Sequence, residues 1–210
     1  MTHWSVRTAE GRDVPLLAKV LARAFDADPV MGWMLPDDLT RQQRLERFFA
    51  GALRWLYLPL GATEVAVGPD GIAAGAVWCP PGRWKSPLWR SLLAGPTMMR
   101  ALGGRARAGQ QISTALEKQH PPEPHWYLAA LGTDPSAQGQ GAAGALLRSR
   151  LTRCDEAGEA AYLESVEGTN VAIYERFGFR SIHQIQIPGG APPQWGMWRE
   201  PASAQATGLR

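Results

Sequence analysis

The stretch Leu131-Gly-Thr-Asp-Pro-Ser-Ala-Gln-Gly-Gln-Gly-Ala-Ala-Gly-Ala-Leu-Leu147 constrains the fold of this chain more than any other. The apolar run Trp126–Leu131 leads into it and reads as a strand buried on both faces. Asp134-Pro135 and the glycines interrupt that strand. Leu146, Leu147 and Leu151 then recur with the spacing of a helix, from about Gly141 to Ala157. A strand, a glycine-rich turn and a helix start in succession aim unpaired N–H groups and the positive end of the helix dipole at one place, which suits a pyrophosphate. Gln138, Gly139, Gln140, Gly141, Ala142 and Ala143 make up this cradle. The pattern GxxxxGK[ST] is absent, which disfavours a P-loop nucleotidase. Gly139-Gln-Gly141-Ala-Ala-Gly144 has the spacing of a dinucleotide-binding turn, and Glu164 could serve as its acidic residue. The turn is too long for that fold, however, a hairpin precedes it, and no second mononucleotide-binding half follows.

The rest of the chain supplies alternating elements. Trp4–Arg7 reads as a short strand. Residues 13–26 read as an amphipathic helix broken by Asp28-Pro29. Residues 39–58 read as a second helix with Thr40 as its N-cap. Thr63–Val67 and Ile72–Trp78 predict a hairpin closed by Gly-Pro-Asp-Gly. An interrupted helical segment at 86–118 follows, then the strand and helix described above. Ala161–Ser165 predicts a strand, Asn170–Phe177 a short helix ended by Gly178, and Phe179–Ile187 and Trp195–Arg199 two final strands. This order predicts an α/β (α+β) fold, a mixed sheet with helices on both faces. The expected organisation is a single domain over residues 1–200 and a frayed tail at 201–210.

Composition narrows the function classes. The 210 residues are 45% hydrophobic and 20% charged, an ordinary globular balance. Cys79 and Cys154 cannot form a disulfide framework and lack the spacing of a zinc site, so no metal is expected. No apolar run approaches the roughly 18 residues of a membrane span. Met1-Thr-His-Trp-Ser-Val-Arg has no apolar signal core, so the expected setting is cytoplasmic. Between residues 80 and 120, seven cations stand against Glu117 alone, although the net charge is only +3. No nucleic-acid motif accompanies them, and the stretch reads as a solvated helix face. Six of the nine tryptophans lie in the first ninety residues.

Two motifs resemble the GNAT superfamily of N-acetyltransferases. Gln138, Gly141 and Ala143 satisfy its Gln/Arg-x-x-Gly-x-Gly/Ala signature. Asn170-Val-Ala-Ile-Tyr174-Glu-Arg-Phe-Gly178-Phe179 looks like its second segment. The order of elements along the whole chain is also that of the family. From Pro122 to Phe179 the chain looks closest to the puromycin N-acetyltransferase branch and its actinobacterial members, while the N-terminal half departs from them, so puromycin is not carried over as the substrate.

The resemblance implies a mostly antiparallel sheet with splayed fourth and fifth strands, and transfer of acetyl from acetyl-CoA to a small-molecule amine in a ternary complex. A protein or peptide acetyltransferase and a non-catalytic acyl-CoA-binding module are the alternatives. Leu131, Gly132 and Thr133 would offer backbone groups to pantetheine, Gln138–Ala143 would hold the pyrophosphate, and Asn170 would face the pantetheine arm. N–H groups near Thr133 would stabilise an oxyanion. Tyr174 would protonate the CoA sulfur, because a phenol keeps its proton at neutral pH. Glu164 would accept the amine proton, with Asp26, Asp28 and Glu167 as rivals. Asp28, Trp33 and Trp78 would contribute to the acceptor site, with Trp55 and Trp84 as further candidates for an apolar pocket. His120, His125 and His183 read as structural. No nucleic acid or membrane partner is expected, and the terminal strands of the family make a homodimer plausible.

Overall fold

A computed structural model describes residues 3–166 and 169–202. Glu167 and residues 203–210 of the expected tail lie outside the described residues. The chain runs β1 (Ser5–Thr8), α1 (Val14–Ala24), α2 (Pro29–Met34), α3 (Asp38–Ala52), β2 (Glu64–Gly68), β3 (Gly71–Cys79), α4 (Leu88–Leu102), α5 (Ala106–Gln119), β4 (Trp126–Thr133), α6 (Ala142–Ala157), β5 (Ala161–Val166), α7 (Thr169–Glu175), β6 (Arg180–Ile185) and β7 (Gln194–Arg199). The seven strands form one sheet in the order β1-β2-β3-β4-β5-β7-β6. Every neighbouring pair is antiparallel except β4 and β5. The expected mixed, mostly antiparallel sheet is the one observed.

Three local readings need correction. Asp28-Pro29 does more than end α1. The Asp28 carboxylate accepts from the N–H groups of Val30 and Met31, both at 2.9 Å, and so caps a short helix that the sequence reading missed. Proline is admissible there because its missing N–H would have been unpaired anyway. The second long helix starts from Asp37, not Thr40: Asp37 accepts from the Leu39 N–H and from the Thr40 hydroxyl. That helix also loosens after Ala52 into a wider turn, Leu53–Tyr57, and then a tight one, Leu58–Leu60.

Two packed layers fix the sheet. On one face, Leu17 and Leu21 of α1 and Leu45 and Phe49 of α3 pack over Val65 and Val77. On the other, Leu146, Leu147 and Leu151 of α6 meet Ala66, Ala74, Ala76, Trp78 and Leu128. Further along the first face, Ala115 of α5 packs with Ile185 of β6, and Val166 of β5 packs against them. Each helix buries one apolar stripe, which is the main source of its stability in the fold. The small residues of the strands decide how closely the helices approach. A Cβ at Gly75 would lie 2.3 Å from Leu17 Cδ1, and one at Gly132 would lie 2.9 Å from both Leu21 Cδ2 and Ala24 Cβ. Glycine at these two positions lets α1 lie directly on β3 and β4.

A buried ion pair ties α6 to the start of β2. Arg150 donates to Glu64 at 3.0 Å, with Arg153 as a second partner of the same carboxylate. The Arg150 guanidinium also lies 4.2 Å from the ring centroid of Trp126. Removing one partner of such a pair leaves a buried charge, so Glu64→Ala is expected to cost about 3–5 kcal/mol, read by denaturant unfolding. Gly132→Val should cost about 1–3 kcal/mol by overpacking against α1. Gly104→Ala, whose Cβ would meet nothing within 4 Å, should unfold close to wild type.

Candidate active site

Strands β4 and β5 pair only at Trp126–Ala161, Tyr127–Tyr162 and Leu128–Leu163. The next residue on β4, Ala129, is skipped in the register with β3, which passes from Trp78–Leu128 to Val77–Ala130. Such a bulge adds twist and turns a strand away from its neighbour. From Ala129 to Thr133 on β4, and from Glu164 to Val166 on β5, the facing edges have no ladder between them. A slot therefore opens in the middle of the sheet, with Ala129 and Glu164 at its apex. Leu131, Gly132 and Thr133 lie along one side of it and keep their pairing with β3 on the other. Gly132 has two functions in one position: its bare Cα accepts α1, and its backbone borders the slot.

At the outer end of the slot, β4 turns into α6. Gly139 and Gly141 have φ of 73° and 87°, a left-handed conformation that glycine adopts without strain. Gly141 occupies the N-cap position of α6 and no side chain caps the helix, so its first N–H groups remain available to a ligand. The loop is anchored from three sides. Trp4 Nε1 donates to the Gln140 carbonyl at 2.8 Å, the Gln140 side chain donates to the Ser136 carbonyl at 3.1 Å, and Arg23 is ion-paired with Asp134. Burial opposes the Asp134 charge, but bonds from Ser136 and Arg23 hold its carboxyl below the usual range. Gln138 donates weakly to the Thr133 carbonyl, 3.4 Å away. Gln138, Gly139, Gln140 and Gly141 are exposed, whereas Ala142 is buried and Ala143 half-buried. The guanidinium of Arg148, which the sequence reading did not single out, lies beside Gly144 in the first turn of α6. The arrangement fits a pyrophosphate: flexible glycine N–H groups, an uncapped helix start and a nearby cation.

Tyr174 lies on the same face. It packs against the core cluster under α6, with its ring edge-on to Phe179 at 6.0 Å. Burial raises its phenol well above the ordinary value, so it is protonated at neutral pH. Asn170 is exposed in the first turn of α7.

Glu164 lies on the opposite face, within a cluster of buried ionisable side chains. Its own side chain is 4% exposed, and Oε1 has no hydrogen-bond partner. Burial and the Glu164 charge raise the phenols of Tyr57, Tyr127 and Tyr162 and push the Cys79 thiol up to about 12. These four groups therefore hold their protons, and Cys79 offers no thiolate for covalent catalysis. The remaining neighbour is His120, whose Nδ1 is 3.7 Å from Glu164 Oε1.

The hydrogen bonds around His120 place a hydrogen on its Nε2. His125 Nδ1 lies 2.6 Å from the Glu123 carbonyl, which can only accept, so that nitrogen carries a hydrogen. Burial holds His125 below the usual imidazole pKa and hence neutral, which leaves its Nε2 as an acceptor. That atom lies 3.0 Å from His120 Nε2, which must then be the donor. His120 therefore carries a hydrogen on Nε2 and turns Nδ1 toward Glu164. Trp84 stacks on the His120 ring at 3.7 Å and holds its plane. The structural reading of His120 and His125 missed this arrangement. No sequence spacing announces it, since His120, His125 and Glu164 meet only through folding.

A cavity of about 720 Å³ opens on this face, bordered by Tyr127, Ala129 and Ala130 at the apex of the slot and by His120. Its walls are mainly apolar and come from Phe25 after α1, from α2, α3, α4 and α5, and from the turn after α3. The ionic side chains on the wall are His120 and the pair Lys85–Glu117, bonded at 2.7 Å. Of the tryptophans expected here, Trp84 lines the cavity. Trp78 does not: it is fully buried on the α6 side of the sheet, because alternation along β3 turns it away. Trp33 is not a wall residue either. Its Nε1 donates to the Gly189 carbonyl at 3.2 Å, and Arg105 lies over its ring. Trp55 is half-buried elsewhere. Asp28 is used as the cap of α2, and Asp26 is also absent from the wall.

Comparison with known proteins agrees with this geometry. Residues 78–179 match the acetyltransferase (GNAT) family. An uncharacterized N-acetyltransferase of Schizosaccharomyces pombe is 25% identical over 193 residues, covering 87% of this chain and 76% of that protein. A crystal structure described as histone acetyltransferase HPA2 and related acetyltransferase, from Corynebacterium glutamicum, is 28% identical with a TM-score of 0.75, covering 96% of this chain and 98% of that one. Arylalkylamine N-acetyltransferase 2 from Aedes aegypti, 13% identical with a TM-score of 0.59 over 94% of this chain and 99% of its own, shares the fold. With both motifs, the slotted sheet and the family match in agreement, the chain carries a domain of the GNAT acetyltransferase family and is an acyltransferase of that type.

Proposed function

We propose that this enzyme transfers acetyl from acetyl-CoA to the amine of a small molecule with an apolar body, by direct attack in a ternary complex. The observation that carries this reading is the slot between β4 and β5, which reaches the glycine loop at one end and the apolar cavity at its apex. Acetyl-CoA would supply an activated thioester carbonyl. The N–H groups of Gly139, Gly141, Ala142 and Ala143 would hold its pyrophosphate, with Gln138, Gln140 and Arg148 alongside. The free backbone edge of Leu131, Gly132 and Thr133 and the side chain of Asn170 would take its pantetheine.

The two faces of the sheet divide the proton chemistry. The amine must lose a proton, and the thiolate leaving group must gain one. On the cavity face, Glu164 would accept the amine proton, with His120 Nδ1 facing it at 3.7 Å. The proton taken by Glu164 can be shared with His120, whose orientation His125 and Trp84 maintain. On the other face, Tyr174 retains a proton for the departing thiolate. The wall favours a neutral apolar body bearing one amine. Among the described residues it has no unpaired carboxylate for a second ammonium group, because Glu117 is engaged by Lys85.

Titration with acetyl-CoA should give saturable binding, and Gly141→Val, which forces a branched side chain into φ of 87°, should weaken it at least tenfold. In a panel of amines, apolar monoamines should outperform spermidine and aminoglycosides. Acetylation of peptides alone would favour a protein acetyltransferase, and binding without turnover an acyl-CoA-binding module. Glu164→Gln should lower kcat by about 10²–10⁴-fold and Tyr174→Phe by about 10²-fold, with acetyl-CoA affinity retained in both.

The neutral state of His125 has a separate consequence. Its folded pKa lies below the unfolded value of about 6.5, so the unfolded chain binds more protons as pH falls through that value. Stability should therefore be fully present above that pH and decline below it. The decline between neutral and mildly acidic pH should be shallower in His125→Gln.

A further inference from the structure

The outward face of α4 has the composition of a buried surface. Five of the nine large apolar side chains exposed among the described residues stand on this one helix: Leu88, Trp89, Leu92, Leu93 and Met99. At 3.6 residues per turn they fall on a single broad stripe together with Pro96. Leu88 is 76% exposed and Leu92 68%. The opposite side of the helix is already occupied. Ala94, Ala101 and Leu102 are buried, Met98 lines the cavity, which the exposed Met99 also borders, and Thr97 packs so closely on α3 that a Cβ at Gly51 would lie 2.8 Å from its methyl group. The two charges of the helix are Arg90, stacked over Trp89, and Arg100.

We propose that this face is the contact of a homodimer, with α4 of two copies packed against each other about a two-fold axis. The stripe exposes roughly 600 Å² of apolar surface, the upper end for the largest patch of a monomer. With its flanking residues it approaches the roughly 800 Å² per partner of a standard stable interface. A two-fold contact requires only that the surface complement itself. An apolar stripe without acidic residues meets that condition and carries no charge pattern that would select a different protein. With the helices antiparallel, Leu92 and Leu93 lie near the axis and each Arg100 emerges at the hydrated rim. A lipid surface is a poorer occupant. A helix lying in a membrane interface presents cations to water on its other side, whereas the other side of α4 is packed, and the nearby Lys85 is bonded to Glu117. The contact is independent of the acetyl-transfer reading, and it would brace the helix whose inner side walls the cavity.

Light scattering coupled to size exclusion should give twice the 22.9 kDa of the chain. Leu92→Glu should give the single-chain mass with unchanged far-ultraviolet circular dichroism. If that variant fails to fold, cysteine cross-linking decides: on oxidation Leu92→Cys should form a covalent dimer, and Leu39→Cys, exposed on α3, should not. A wild-type protein of single-chain mass overturns the proposal, and one that also co-sediments with anionic vesicles assigns the face to lipid. A folded Leu92→Glu protein that stays dimeric, or absence of the Leu92→Cys cross-link, equally overturns it.

Discussion

Three residue pairs hold β4 to β5, and beyond Leu128 and Leu163 the ladder stops. One extra residue, Ala129, coincides with that stop and turns β4 away while β4 keeps its pairing with β3. The sheet is thereby divided into two blocks, β1 to β4 and β5-β7-β6, that share a short parallel hinge. Unpaired backbone edges inside a protein are costly unless something bonds to them. Here they border an elongated opening that suits an extended, amide-containing ligand. The glycine loop and the start of α6 stand at one end, and Glu164 stands at the other.

The divided sheet also separates the two groups proposed to handle protons. Tyr174 belongs to the α6 face, in an apolar surrounding that preserves its phenolic proton. Glu164 belongs to the cavity face, where three tyrosines and Cys79 are kept protonated by burial and by its own charge. His120 completes that cluster, its Nε2 held by His125, which is itself oriented by the Glu123 carbonyl. Electrostatic order of this kind is stronger in a dry site than in water.

The glycine loop and helix of the proposed cofactor side were legible in the sequence, because their signals are local. Glycine at 139 and 141 is required by backbone conformation, and Leu146, Leu147 and Leu151 mark the buried stripe of α6. The proposed acceptor side was not legible to the same degree. Trp78 and Trp84 are six residues apart, yet one is core and the other lines the cavity, since alternation along β3 sends the first to the opposite face and the second lies beyond the strand. Asp28 looked like a cation-binding carboxylate and is a helix cap. The pairing of His120 with Glu164 brings the end of α5 to the middle of β5, a tertiary contact for which no periodicity gives a signal. The excess of cations between residues 80 and 120 is partly consumed inside the fold: Arg105 donates to the Trp33 and Met34 carbonyls, and Lys85 to Glu117.

The most direct measurement is a crystal structure of the protein soaked with acetyl-CoA. The pantetheine chain is expected along Leu131–Thr133 in the slot, with the pyrophosphate on the N–H groups of Gly139–Ala143 and the thioester facing Glu164 and the cavity. Acetyl-CoA bound on another surface, with the edges of β4 and β5 left bare, would contradict the assignment of the slot as the catalytic cleft.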